Sequence, residues 1–298
     1  MAHIVRTIPY AGWKNCIHIT NTVFEAVITA DVGPRIVRYA KVGGPNMLWL
    51  NEFTAGETEE TKTWRAYGGH SFDALVNGEA FLPPENAPVG YTLGADKVEF
   101  DTVDYGGLAK KLSVRMCRRG GLEIKETLMN TGDEPLLVAA CGNTLLRSGG
   151  KAVAPLHKGE MPVAGADRPE LTRGEELAFL MQDPVIGDTF EVAMGLQELW
   201  CGYFEQGSLF IMTSPKMENE AYHAGISLCF GGDRRRMRMT SFSPERLLKP
   251  GEELCHTEVW NLFTETPVPA TEAEAQKWLK NNKYYYEFCK KPVPGLDC

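Results

Sequence analysis

Apolar residues that return at every second position, between short turns rich in glycine and proline, limit most severely what this chain can fold into. In Leu112-Ser113-Val114-Arg115-Met116 the apolar side chains point one way and the polar ones the other. Leu122 and Ile124 alternate with Glu123 and Lys125, Ile17 and Ile19 share a face, and Met237 and Met239 alternate with Arg238 and Thr240. A period of two is the pattern of strands with one buried face. Turn signals cut these runs at short intervals: Asp31-Val32-Gly33-Pro34, Gly43-Gly44-Pro45-Asn46, Tyr105-Gly106-Gly107, Asn130-Thr131-Gly132-Asp133, Gly231-Gly232-Asp233 and Lys249-Pro250-Gly251. That spacing predicts an all-β chain, a large antiparallel β-sandwich.

The pattern changes near residue 264. Thr271-Glu272-Ala273-Glu274 has the form of a capping box, in which the Thr and Glu side chains satisfy amide groups at a helix start. Helical spacing of Ala275, Trp278, Leu279, Asn282, Tyr285, Tyr286 and Cys289 predicts a helix over about 271–289, ended before Pro292. The expected organisation is a sandwich over 1–268 and a helical tail over 269–298 packed on it. Two stretches, about 51–86 and 153–176, read as long loops, which in a compact domain usually carry function.

Charge narrows the partners. The 298 residues carry a net charge of −8, which argues against nucleic acid, since phosphate-backbone sites need a surplus of Lys and Arg. The one dense basic run, Arg234-Arg235-Arg236 with Arg238, reads as a solvated hairpin turn. The N-terminal residues hold no apolar stretch of signal-peptide length, and no later run approaches the ~18 residues of a membrane span, so no membrane partner is expected. Eight scattered cysteines without a C-x-x-C pair fit a reduced, cytoplasmic setting better than a disulfide framework. No metal-ligand spacing, phosphate loop or G-x-S-x-G elbow occurs. Neither a metal nor an organic cofactor is expected, and a monomer or homodimer fits.

The densest polar and aromatic stretch is Trp64-Arg65-Ala66-Tyr67-Gly68-Gly69-His70, continuing to Pro83-Pro84-Glu85-Asn86. Trp64 and Tyr67 offer flat faces for a sugar ring, and Arg65 offers a planar fork of donors. His70 titrates near neutrality. The two glycines would let backbone approach a ligand. The competing reading makes Gly-Gly a turn and the aromatics core.

Four segments carry a family resemblance. They are Tyr67-Gly68-Gly69-His70 with its Pro-rich sequel, and Gly33-Pro34-Arg35-Ile36 followed by Asn46-Met47-Leu48. The others are Asn130-Thr131-Gly132-Asp133-Glu134-Pro135, and Pro250-Gly251-Glu252 with Trp260. In this order, across about residues 15–263, they resemble the galactose mutarotase-like superfamily, in a branch with a Gly-Gly-His segment. The resemblance implies a β-supersandwich with a sugar cleft, and a small-molecule carbohydrate as partner. In aldose 1-epimerases a Glu acts as base on the anomeric hydroxyl and a His acts as acid on the ring oxygen, without metal or cofactor.

The chain departs from that pattern twice. Asn143 falls where the resemblance places the acid His, and the turn Ala221-Tyr222-His223-Ala224-Gly225 leads into a strand without a carboxylate. His70, then His157 and His223, are the substitute acids, and Glu85 is the substitute carboxylate. Arg65, Asn86, Asn143 and Tyr222 would hold sugar oxygens, and Trp64 or Trp200 would stack. His256, Glu258 and Trp260 alternate onto one strand face; the blander reading makes this an outer face, with Trp260 beneath the C-terminal helix. The expected function is an aldose 1-epimerase-like isomerase. The alternatives are a carbohydrate-binding protein without catalysis, and a glycosidase or lyase, which would need two facing carboxylates or a Tyr–His pair.

Overall fold

The computed structural model describes residues 3–58, 63–117, 121–156, 162–182, 189–215 and 220–282. Among them the strands form two sheets of eleven, and every strand pairing is antiparallel. The first sheet runs from Ile4–Tyr10 through Trp13–Thr20, Phe24–Thr29, Arg35–Lys41, His70–Val76, Leu136–Arg147, Arg236–Phe242 and Leu228–Gly232 to Phe190–Met194. The second centres on Ser208–Thr213, Glu253–Thr264, Leu122–Asn130 and Leu108–Met116.

The period of two explains the layering. Leu112, Val114, Met116, Leu122 and Ile124 from one sheet meet Ile17, Ile19, Leu146, Met237 and Met239 from the other in a single buried cluster. Each such aliphatic side chain contributes about 1.5–3 kcal/mol relative to exposure. Trp260 lies at the centre, with ring centroids 5.7 Å from Tyr39, 5.1 Å from Phe210 and 4.9 Å from His70. The Phe210 and His70 rings meet it edge to face, which suits the ring quadrupoles, and the Tyr39 ring is tilted against it. The expectation that Trp260 sits beneath the helix is therefore corrected. His256, Glu258 and Trp260 do share a face, but it is the inner one, because their strand partners Glu126, Ile124 and Leu122 point inward too.

The helix covers a different surface. Phe179, Trp200, Phe204, Ile211 and Ala275 form a separate cluster with Phe263, Trp278 and Leu279 on the far face of the second sheet. Thr271 accepts a hydrogen bond from the Glu274 amide, as the capping box predicts, while the Glu274 carboxylate reaches the Ala270 amide. The Glu272 carboxylate accepts from three successive amides, Glu175, Glu176 and Leu177, at 2.7–2.9 Å. The helix spans Glu272–Asn281 with Asn282 as its C-cap. The remainder of the expected element, with Tyr285, Tyr286 and Cys289, lies outside the described residues.

The two long loops contain strands. His70–Val76 is central in the first sheet, Glu79–Phe81 pairs with it, and Lys151–Pro155 and Leu171–Arg173 belong to the second sheet. His70-Ser71-Phe72-Asp73-Ala74 alternates like any half-buried strand, but its polar members face a hollow rather than open solvent.

Candidate functional site

The outer face of the first sheet carries a cleft of about 750 Å³. Alternation decides what lines it. From His70–Val76, Leu136–Arg147 and Arg236–Phe242, the residues facing out are Ser71, Asp73, Cys141, Asn143, Arg236, Arg238 and Thr240. Their sequence neighbours His70, Phe72, Gly142, Thr144, Met237, Met239 and Ser241 face the core.

Two cross-strand rows make the floor. In the first, register sets Ser71 opposite Asn143 and Asn143 opposite Thr240. Thr240 Oγ1 donates to Asn143 Oδ1 at 3.2 Å, Asn143 Nδ2 donates to Asp73 Oδ2 at 3.3 Å, and Ser71 Oγ donates to the same oxygen at 3.2 Å. Asp73 has no ion pair among the described residues. In the second row, register aligns Glu191, Gly231 and Arg238. Gly231 has no side chain, so the Arg238 guanidinium lies across it and donates to Glu191 Oε2 at 2.5 Å. Trp64, Ala66, Leu82 and Phe242 are apolar members of the wall, and Arg35 also reaches the lining. Cys141 and Cys229 face the cleft, but burial raises both thiols, Cys229 to about 12. They are neutral fillers there rather than nucleophiles.

The core side of the same sheet holds a second polar set. His70 Nδ1 meets Thr144 Oγ1 at 3.0 Å, and His70 Nε2 meets Glu126 Oε1 at 2.9 Å. Ser241 Oγ lies 2.7 Å from His256 Nε2 and donates to Glu258 Oε1 at 2.5 Å; Trp260 Nε1 donates to Glu258 Oε2 at 2.7 Å. His70, Glu126 and Glu258 are fully buried, and His256 nearly so. Burial lowers both imidazoles, His256 to about 4, and raises both carboxyls, with Lys110 opposing at Glu126 and His70 opposing at Glu258. Burial favours the neutral forms, because an ion loses its hydration there. Gly142 separates this set from the cleft: a Cβ on it would overlap the Glu258 carboxylate.

Of the residues expected from the sequence, the structure brings Trp64 and Asn143 to the cleft. His70 faces the other way, with both ring nitrogens engaged in the core, and this corrects its expected role as an acid in contact with ligand. Glu85 is buried between Lys110 Nζ at 2.6 Å and Arg35 at 3.6 Å, a strut rather than a cleft carboxylate. Tyr67 and Asn86 are also structural: the Tyr67 hydroxyl donates to Asn86 Oδ1 at 3.0 Å, and its ring packs against Trp13. Arg65 pairs with Glu57. Trp200 lies under the helix, on the opposite side of the molecule's second sheet. His223 pairs with Glu245 at 2.8 Å beside Gly78, and neither it nor Tyr222 is among the described residues that line the cleft. His157 lies outside the described residues. The Gly68-Gly69 pair serves chain packing, because both have positive φ and a Cβ on either would overlap the backbone oxygen of Trp49 or Ile36.

The sequence reading missed Asp73, Glu191, Arg236, Arg238 and Thr240. The signal was present: Ser71, Asp73, Arg238 and Thr240 occupy the polar phase of alternating strands. The alternation alone does not say that this face is concave. Among the described residues no group of His, Cys, Asp and Glu is arranged to hold a metal ion, and no helix is long and apolar enough to cross a membrane.

No protein-family model matches the chain, and no curated protein does. Solved structures do. A galactose mutarotase-like protein from Lactobacillus casei aligns over 84% of this chain and 100% of its own, at TM-score 0.57 and 9% identity. The galactose mutarotase related enzyme from Lactobacillus acidophilus aligns over 86% and 100%, at TM-score 0.56 and 11% identity. The chain has the galactose mutarotase-like fold. A galactose mutarotase-like protein from Clostridium acetobutylicum agrees, covering 88% of this chain and 99% of its own at TM-score 0.56 and 10% identity. At these identities the likeness is one of architecture, and the mutarotase-like sandwich of this chain carries its own side chains in the cleft.

Proposed function

We propose that this protein binds a carbohydrate in the cleft of its first sheet. The observation that carries the reading is the floor itself: a line of hydroxyl, carboxamide and carboxylate groups from Ser71, Asp73, Asn143 and Thr240, beside the exposed indole of Trp64. Paired donors and acceptors under an aromatic wall suit a ring whose edge is hydroxyl groups and whose face is C–H. The names of the structural neighbours, galactose mutarotase-like, support the same ligand class. Calorimetric titration with a panel of neutral and acidic mono- and oligosaccharides tests it. Saturable binding that Asn143→Ala weakens is the expected result, and no binding across the panel overturns it.

One observation favours catalysis in addition. Asp73 is a buried carboxylate at the cleft floor, held by neutral donors and not by a cation. Such a group is a general-base candidate for epimerase-type chemistry, in which a proton leaves the anomeric hydroxyl and the ring opens. Polarimetry on freshly dissolved anomers tests this reading. Accelerated relaxation in the wild type, lost in Asp73→Asn while binding persists, is expected. Relaxation at the buffer rate for every sugar that binds leaves a carbohydrate-binding protein without this activity.

A further inference from the structure

The cleft does not stop at its floor. At the Asp233–Arg236 turn it borders a second hollow of about 390 Å³, lined by Trp49, Asn51, Ala66 and the run Asp233-Arg234-Arg235-Arg236. Ala66, Asp233 and Arg236 line both spaces, so the two adjoin.

The charge of the two parts differs. Inside the cleft each guanidinium has a carboxylate: Arg35 has Glu85 and Arg238 has Glu191. At the mouth three arginines share one aspartate. Asp233 pairs with Arg236 Nε at 3.2 Å and accepts from the amides of Arg235 and Arg236 at 2.8 and 3.1 Å. Arg234 and Arg235 are exposed and have no carboxylate partner among the described residues. The Arg236 guanidinium lies over the Trp49 ring, 4.7 Å from its centroid, a cation–π contact that fixes the group at the join of the two spaces. This local surplus of positive charge is opposite in sign to the chain's net charge of −8.

Resting on the carbohydrate reading of the cleft, we propose that the ligand is a sugar chain of more than one unit whose terminal or branching residue carries an anionic substituent. That substituent, a carboxylate or a sulfate ester, docks at the mouth against Arg234 and Arg235, while a neutral unit occupies the floor at Ser71, Asp73, Asn143 and Thr240. The balanced floor suits the neutral unit, since an unpaired anion beside Asp73 would be repelled. The mouth suits the charged one, because guanidinium groups present paired N–H donors to planar or tetrahedral oxyanions. This also gives the basic run a role beyond that of a solvated turn.

The test is calorimetric titration of the full chain at low and high salt with three oligosaccharide sets matched in length: neutral, uronate-bearing and sulfated. Polyglutamate serves as a non-sugar polyanion. We expect an anionic set to bind about tenfold more tightly than the neutral one at low salt, with the advantage shrinking as salt rises. The double variant Arg234→Glu/Arg235→Glu should erase that advantage and leave neutral binding in place. The uronate and sulfate arms separate the two sources of charge. Equal affinity for neutral and anionic sets, or an advantage that survives the double variant, overturns the inference and leaves carbohydrate binding standing. Polyglutamate binding as tight as the anionic sugars also overturns it, because the patch would then read charge alone. Failure of all sugars to bind overturns both readings.

Discussion

The two faces of one sheet treat polar groups in opposite ways. On the cleft side Ser71, Asp73, Asn143 and Thr240 form a hydrogen-bonded line that borders open space. On the core side, one residue along the same strands, His70, Thr144 and Ser241 join Glu126, His256 and Glu258 in a sealed set. Both sets hold carboxylates, and the sealed one alone holds imidazoles. Titratable residue types therefore do not identify the functional face. Access does: the cleft groups can exchange a protein partner for a ligand hydroxyl, and the sealed groups cannot without opening the core.

Truncating the sealed set should have the largest effect. His70→Ala leaves Glu126 and Thr144 without their shared partner and a void beside Trp260, and should cost about 3–5 kcal/mol in urea unfolding. A loss below about 1 kcal/mol would mean that the core set contributes little and that the contrast between the faces is wrong. Gly142→Ala comes next, at about 2–3 kcal/mol, because its methyl displaces the Glu258 carboxylate. Unchanged melting in that variant would show that the barrier between the faces is looser than the structure shows.

Titration sharpens the contrast. His256 is lowered to about 4 by burial, so its contribution to stability is present above about 6.5 and fades as pH falls toward 4. Glu126 and Glu258 are raised, so the native state holds protons that the unfolded state releases, and stability falls as pH rises above about 4.5. Thermal melting across pH 4 to 9 should show both limbs. His256→Gln should flatten the acid limb and Glu258→Gln the neutral-to-alkaline one, each by roughly 1–3 kcal/mol across its window. Limbs that keep their slopes in both variants would place the responsible groups elsewhere.

The smallest stability effect belongs to the cleft. Asp73→Asn keeps the size and a hydrogen-bonding oxygen for Ser71, and should stay within about 1 kcal/mol of wild type by urea unfolding. A cost near that of His70→Ala would make Asp73 part of the structural scaffold and remove it from the candidate site.

How much of this was legible beforehand follows from what each pattern encodes. The run Leu112–Met116 and the pair Leu122 and Ile124 point inward as their alternation predicts, and the Thr271 cap starts the helix it announces. These are local matters: a strand's phase and a helix's first turn are set by adjacent residues. Which phase faces what is not local. His70 and Asp73 sit three residues apart in one strand, and nothing in that spacing says that His70 meets Glu126 across the sandwich while Asp73 meets the cleft. Trp200 and Trp64 are equally aromatic, yet one lies beneath a helix and the other on the cleft wall. Composition and alternation specify an antiparallel sandwich because side-chain direction repeats with the backbone. The choice of a concave, solvent-filled face depends on how two twisted sheets and their connections close around each other. That involves pairs such as Asn143 with Thr240 and Glu191 with Arg238, separated by dozens of residues and brought together by strand register.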